Sequence, residues 1–186
     1  MVDVMGHFAM ALLWALPAWA LWDGRVALLF IGFTLTTAML PDADLVLRTV
    51  LPITHHGITH TVLFVTLVAI VAGVVAEYAL ESQLERQWLK ERGYTLAAGT
   101  LFVFVTGGLL LGGYSHLFAD MLSAPDIAPP VQPFWPFFEK PWSVDLIWYN
   151  ARLWNAGLLL VAVILHALVA ATGFSYSHRW GIQRAE

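Results

Sequence analysis

Hydrophobic residues run in five long blocks along the chain, at about 5–22, 25–40, 61–80, 95–119 and 152–175. Each approaches the ~20 apolar residues that a helix needs to cross a hydrocarbon core, so the pattern predicts five transmembrane helices. The first two blocks are short, which fits a smaller tilt or a locally thinner bilayer. Pro17 lies inside the first and predicts a kink there. Asp3 is the only charge in 1–22, so this segment lacks the basic start of a signal peptide and reads as a retained helix.

The polar stretches between the blocks differ in kind. Asp23-Gly24 predicts a tight turn between the first two helices. Residues 41–60 form a polar connection that holds Asp42, Asp44, His55, His56 and His60. Leu80, Leu84 and Trp88 recur at helical spacing through the charged stretch 81–93, so the third helix should continue out of the membrane as an amphipathic rod that stops near Gly93. Residues 123–151 carry six of the nine prolines and the aromatics Phe134, Trp135, Phe137, Phe138, Trp142, Trp148 and Tyr149. Proline prevents regular helix and aromatic rings favour headgroup depth, so this is an interfacial or re-entrant loop, with a substrate lid as the sharper alternative. The fold class that follows is all-α: a polytopic membrane bundle of about five helices, forming one domain over 1–186.

Composition agrees. The chain is 59% hydrophobic and 12% charged, and its mean hydropathy is +0.72; soluble domains carry about a quarter charged residues. A net charge of −4 without a basic cluster argues against a nucleic-acid partner. Cysteine is absent, which excludes disulfides and thiolate metal sites and leaves His, Asp and Glu as the metal ligands.

Alternation of five spans sorts the polar residues by side. His7 begins the first helix, Asp42 and Asp44 follow the second, His55 and His60 precede the third, and His116 and Asp120 end the fourth. All fall on one side of the membrane. Ionisable groups in spans cost a few kcal/mol each unless paired or functional, so their convergence suggests a site. Glu77 and Glu81 belong to the opposite end of the third helix. His166 is mid-span and reads as structural, and His178 as solvated. Lys and Arg counting puts Arg25, Arg86, Lys90, Arg92, Arg179 and Arg184 on one side and Arg48, Lys140 and Arg152 on the other. This favours an outside N-terminus and an extracytoplasmic site on a multi-pass cell-membrane protein.

His116 and Asp120 are i, i+4 and share a helix face, which suits one ion. Taken alone, His7 would read as a packing residue, Asp42 and Asp44 as a solvated helix end, and His116/Asp120 as a simple pair. Together on one face they read as a metal site. Mixed His and carboxylate ligation suits zinc, and also manganese or iron(II). Two ions sharing a carboxylate are a common device for phosphoester hydrolysis. The motifs His-Glu-x-x-His, Gly-x-Ser-x-Gly and a phosphate-binding Gly-Lys loop do not occur.

Gly6-His7, Leu40-Pro41-Asp42-Ala43-Asp44, His55-His56-Gly57-Ile58-Thr59-His60-Thr61, Gly113 through Leu122 with its His116-x-x-x-Asp120, and Phe134-Trp135-Pro136-Phe137 stand in the order seen in the YdjM/YbcI-like family. The chain resembles these inner-membrane proteins over roughly 5–140. The family is described as metal-dependent hydrolases and is distantly similar to zinc-dependent phospholipase C and the P1-type nucleases. The resemblance implies metal-ligand roles for His7, Asp42, His60, His116 and Asp120, with Asp120 as the bridging carboxylate and one or two ions. It implies for His55 a role as ligand or as a proton-transfer and phosphate-binding group. His56 and Thr61 stand where the family carries Arg and Ser; either a protonated His56 would replace the Arg or the substrate would differ.

The reading that results is a membrane-embedded hydrolase that uses metal-activated water on a phosphoester of a lipid or lipid-linked substrate. Asp44 or His55 would orient the nucleophile or move protons. Thr59 and Ser115 would hold the ligand histidines. A metal-ion or proton transporter, and a non-catalytic protein with a structural ion, are the alternatives. The sequence assigns no oligomeric state.

Overall fold

The computed structural model describes residues 2–84, 94–149, 151–172 and 182–184. Its helices are α1 (Val4–Ala15), α2 (Ala18–Leu21), α3 (Gly24–Thr37), α4 (Asp44–Leu47), α5 (Val62–Leu84), α6 (Thr100–Leu122) and α7 (Arg152–Thr172). Strands β1 (Tyr94–Leu96) and β2 (Ile182–Arg184) pair antiparallel. Among the described residues four segments are long and apolar enough to cross a membrane, and the count is five if the bent pair Gly24–Thr37 with Pro41–Leu47 is one span.

The helix ends follow from local chemistry. Asp3 caps α1 by accepting from the Gly6 N–H at 2.8 Å, and Asp23 caps α3 by accepting from Arg25 and Val26. Thr61 caps α5, its Oγ1 accepting from the Phe64 N–H at 3.1 Å. The kink expected at Pro17 is a break between α1 and α2, because proline supplies no N–H to the helical ladder.

The observed elements differ from the sequence expectation in two places. The fourth helix begins at Thr100 rather than near 95, because 94–96 pairs with 182–184 in the two-stranded ribbon. The connection after the second helix is not wholly irregular: Pro41–Ala43 forms a single 3-10 turn that runs into α4 at a bend of 40° to α3. The rod beyond the third span is present to Leu84; Trp88 and Gly93 lie outside the described residues, as does His178.

α6 is the central helix, packed against α1, α3 and α5, while α7 packs on α1. The outer surface is apolar: Leu29 is 69% exposed and Leu153 92%. Polar side chains are turned inward, as lipid requires. Close approach uses small residues, since apolar surface gains little by leaving lipid. A Cβ on Gly112 would stand 2.4 Å from Thr37 Oγ1 and 2.8 Å from the Thr34 carbonyl. That approach puts the next turn of α6 beside the chain leaving α3. At the other end of α6, Glu77 of α5 accepts from the backbone N–H groups of Gly99 and Phe102 and so caps α6.

Candidate metal centre

Four segments meet at one end of the bundle. α1 carries His7, the 3-10 turn and α4 carry Asp42 and Asp44, the turn before α5 carries His55, His56, Thr59 and His60, and the last turn of α6 carries His116 and Asp120. His7, His60, His116 and Asp44 are fully buried, and Asp42, His56 and Asp120 nearly so.

The local chain fixes each approach. Pro41 starts the 3-10 turn at the position where its missing N–H costs nothing, and Asp42 follows it inward. His56 is left-handed at φ 60, a conformation uncommon outside glycine. Gly57 follows because a Cβ there would lie 2.7 Å from the Thr54 carbonyl.

The outward ring nitrogens make ordinary hydrogen bonds. His7 Nδ1 donates to the Asp3 carbonyl at 2.9 Å, and His56 Nδ1 donates to the Pro129 carbonyl at 2.6 Å. Asp44 stands behind the cluster: its Oδ1 pairs with His55 Nδ1 at 2.9 Å, and its Oδ2 accepts from Thr59 Oγ1 at 2.9 Å and faces His60 Nδ1 at 3.2 Å. Each bond keeps a proton on Nδ1 and turns an Nε2 lone pair away from it. His116 is the exception, since its Nδ1 is buried with no hydrogen-bond partner.

The inward atoms are spaced differently. Asp42 Oδ1 lies 3.4 Å from His60 Nε2 and 3.4 Å from His116 Nε2, and those two nitrogens are 3.3 Å apart. Charge-assisted hydrogen bonds are usually about 2.7–2.9 Å long. For ligand bonds of about 2.0–2.1 Å, the edges of a tetrahedron are about 3.3–3.4 Å. The triangle therefore fits one face of a tetrahedral metal site. Asp120 Oδ2 approaches it, 3.2 Å from His116 Nε2 and 3.7 Å from His60 Nε2. Asp120 Oδ1 turns the other way, 3.3 Å from His7 Nε2.

Asp42, His60 and His116 can hold one ion, and His7, His116 and Asp120 form a second such group. The same contacts also make a His/Asp ion-pair network. Burial opposes a charge on His60, yet the carboxylates of Asp42 and Asp44 outweigh it and raise its pKa. Burial pushes His56 down to about 4, against the pull of Asp120. Protons alone leave the network poorly satisfied: His7 Nε2, His56 Nε2, Asp42 Oδ1 and both Asp120 oxygens are buried without a hydrogen bond. Unpaired buried acceptors are costly, and a divalent cation among them fits this donor set.

The structure thus brings together His7, Asp42, His60, His116 and Asp120, with His56 at 3.6 Å from Asp120 Oδ2. Asp44 and Thr59 stand one layer behind. Ser115, read as a holder of a ligand histidine, is instead turned to its own helix and donates to the Gly112 carbonyl at 2.8 Å. Adjacent helical residues diverge by 100°, so a side chain beside His116 in sequence does not share its face. The carbonyls of Asp3 and Pro129 were not foreseen as orienting groups. Only the position of Asp3 at a helix start hinted at the first.

A pocket of about 550 Å³ opens beside the cluster, between 52–58 and 129–135, with His55 and His56 in its wall. The expected loop 123–151 forms its other side. Among its described residues that loop contains no helix, and it is pinned to the bundle: Val62 N–H donates to the Pro133 carbonyl at 2.8 Å, Val144 N–H to Met121 at 2.9 Å and Leu146 N–H to Leu122 at 2.9 Å.

His166, read as structural, is so placed. Its Nδ1 accepts from Trp19 Nε1 at 2.7 Å, and its Nε2 donates to the Leu12 carbonyl at 2.8 Å. No curated protein and no solved structure matches the chain. Four to five apolar spans around an inward-facing His/Asp cluster, in the motif order described above, accord with a family match: the YdjM inner membrane protein family matches residues 1–183, and the chain belongs to it.

Proposed function

We propose that this membrane protein is a zinc-dependent hydrolase that cleaves a phosphoester of a lipid or lipid-linked substrate at the membrane boundary. The observation that carries the reading is the 3.3–3.4 Å triangle of Asp42 Oδ1, His60 Nε2 and His116 Nε2, adjoining an open pocket. A bound divalent cation would supply Lewis acidity to a phosphoryl oxygen and acidify a water.

The chain's own groups have separable tasks. Asp42, His60, His116 and Asp120 hold the ion, and His7 with Asp120 Oδ1 offers a second position. Asp44 fixes the tautomers of both His55 and His60. His55 lines the pocket and keeps an unbonded Nε2, so it is the group suited to move a proton to or from substrate. His56, neutral at ordinary pH, is a poor substitute for a guanidinium clamp and acts as an acceptor towards the ion or the substrate. Exposed apolar residues at the pocket rim, including Ile58 and Trp135, suit a substrate that stays partly in lipid. The Lys/Arg distribution favours the extracytoplasmic face for the site. A distant likeness of the family to zinc-dependent phospholipase C, carried by the His116-x-x-x-Asp120 helix, would point to the same chemistry.

Transport is the weaker reading. A transporter needs polar groups leading across the midplane, and His166, the histidine at mid-span, has both ring nitrogens engaged by neighbours. A purely structural ion would not need a 550 Å³ opening beside it.

The test is metal analysis of the purified full chain with release of the phosphorylated or free headgroup from lipid vesicles. Bound zinc near one or two per chain, and release that chelation abolishes and zinc restores, are the expected results. Release that survives rigorous chelation overturns the hydrolytic reading, and metal uptake into sealed vesicles without release favours transport.

A further inference from the structure

The pocket beside the centre has a wall whose chemistry restricts what can enter it. Thr54, His55, His56, Gln132 and Trp135 supply its polar and aromatic groups, with prolines between them. None of the described residues lining it is Lys, Arg, Asp or Glu. The wall therefore offers a hydroxyl, an amide, imidazoles and one large ring. It offers no fixed countercharge.

This matters because substrate charge must be compensated where water is displaced. The scissile phosphate can be compensated by the ion at the centre. A second phosphate, or a carboxylate, reaching into the pocket would find no guanidinium or ammonium there. A quaternary ammonium would find a single aromatic face and no carboxylate, which is less than a cage. Hydroxyl groups need only donors and acceptors, which Thr54, Gln132 and the imidazoles provide. The C–H faces of a polyol also pack on an indole ring.

The imidazoles of His55 and His56 stand between the pocket and the centre. The His56 ring is 4.6 Å from that of His60, and His56 Nε2 is 3.6 Å from Asp120 Oδ2. His55 is tied to Asp44 at 2.9 Å. A group in the pocket thus lies next to a phosphate at the centre. On the outer side, Ile58 is 48% exposed, Phe134 43% and Trp135 37%, so an acyl or prenyl chain can continue over an apolar rim.

Resting on the hydrolase reading, we infer that the 550 Å³ pocket between 52–58 and 129–135 is the headgroup site, and that it selects an uncharged polyhydroxyl headgroup, glycerol-like or sugar-like, esterified to the phosphate. Trp135 is its specificity-determining residue. It stacks on the headgroup and takes no part in holding the ion.

The experiment is calorimetric titration of the zinc-loaded full chain in detergent with glycerol 1-phosphate, phosphocholine, pyrophosphate and inorganic phosphate. Glycerol 1-phosphate should bind at least tenfold more tightly than phosphocholine or pyrophosphate. Trp135→Ala should remove most of that preference, while affinity for inorganic phosphate and zinc content stay unchanged. Gln132→Ala should weaken glycerol 1-phosphate in the same selective way. Equal or weaker binding of glycerol 1-phosphate, or a preference that survives Trp135→Ala, overturns the headgroup assignment. Parallel release of glycerol phosphate or glycerol from phosphatidylglycerol vesicles separates the two readings. Selective binding without metal-dependent release upholds the pocket's selectivity and overturns hydrolysis, and release from charged and uncharged headgroups alike does the reverse.

Discussion

At mid-bundle, His166 accepts from Trp19 Nε1 at 2.7 Å and donates to the Leu12 carbonyl at 2.8 Å. At the boundary, the Nε2 atoms of His7, His60 and His116 face carboxylate oxygens at 3.2–3.4 Å. Both regions are buried imidazole in an apolar bundle, yet they are built to different ends. The first has a donor for every acceptor. Its carbonyl is available because Pro17 breaks the α1 ladder: the Leu16 N–H bonds to Leu13 rather than Leu12. In the second, protons on His7, His56 and His60 are drawn to outward partners, and lone pairs and carboxylates are left facing each other. Carboxylates and imidazoles so arranged are held either by protons on the imidazoles, as an ion-pair network, or by a bound cation. Burial and residue type do not separate the two regions. The direction of each ring nitrogen does.

The largest effect on bound metal should come from removing an inward donor. His116→Ala and Asp120→Ala each remove a member of both candidate triads or of the contact between them. Zinc affinity should fall more than 100-fold, beyond the range of roughly 10–100-fold typical of outer-shell partners. Equilibrium dialysis with metal analysis measures it. Full metal content in both variants would break the comparison, because the boundary cluster would then be an ion-pair network like any other. The same dialysis at falling pH should show zinc lost as protons compete for the inward nitrogens, His60 among them, since Asp42 and Asp44 raise its pKa against the opposing effect of burial.

A middle effect belongs to Asp44→Asn. The variant keeps the volume and one acceptor, but an amide N–H now faces either His55 or His60. One imidazole must then turn its tautomer around. Zinc affinity should drop roughly 10–100-fold without loss of the fold. A change of under twofold would show that the carboxylate behind the ligands does not orient them.

How much of this was legible in the sequence depends on how far each feature reaches. The spans were readable because the bilayer imposes a length on each apolar block, and the shared side of His7, Asp42, His60 and His116 follows from counting reversals. The β1–β2 ribbon was not, because its three-residue strands pair Tyr94 with Arg184 across about half of the chain. Nor was the pocket, which forms only when 52–58 and 129–135 come together. Nitrogen direction was equally hidden, since it depends on the carbonyls of Asp3 and Pro129. Ser115 is a different case. The helical period alone places it off the His116–Asp120 face, so its assignment was a misreading of available information.

His166→Ala should leave zinc content unchanged and lower stability. It strands the Trp19 N–H and the Leu12 carbonyl, at roughly 1–3 kcal/mol for each buried unsatisfied group. Thermal melting in detergent would read it as a lower Tm with the full metal complement. Zinc lost from a folded His166→Ala variant would mean the two regions are coupled rather than distinct.

The smallest effect is expected at Ser115→Ala, and it sharpens the comparison most finely because Ser115 adjoins His116 in sequence. Its Oγ bonds to the Gly112 carbonyl, one turn back on the same helix, and such back-bonds contribute little because that carbonyl already belongs to the helical ladder. Replacing the hydroxyl leaves no buried donor stranded, and alanine has the higher helix propensity. Stability should therefore change by less than about 1 kcal/mol, with zinc affinity within twofold of the parent. If the variant instead lost zinc as Asp44→Asn does, Ser115 would have to reach the centre in the metal-bound protein. The last turn of α6 would then need to rotate on loading, and the metal-loaded and metal-free proteins would differ in hydrogen exchange at 116–122.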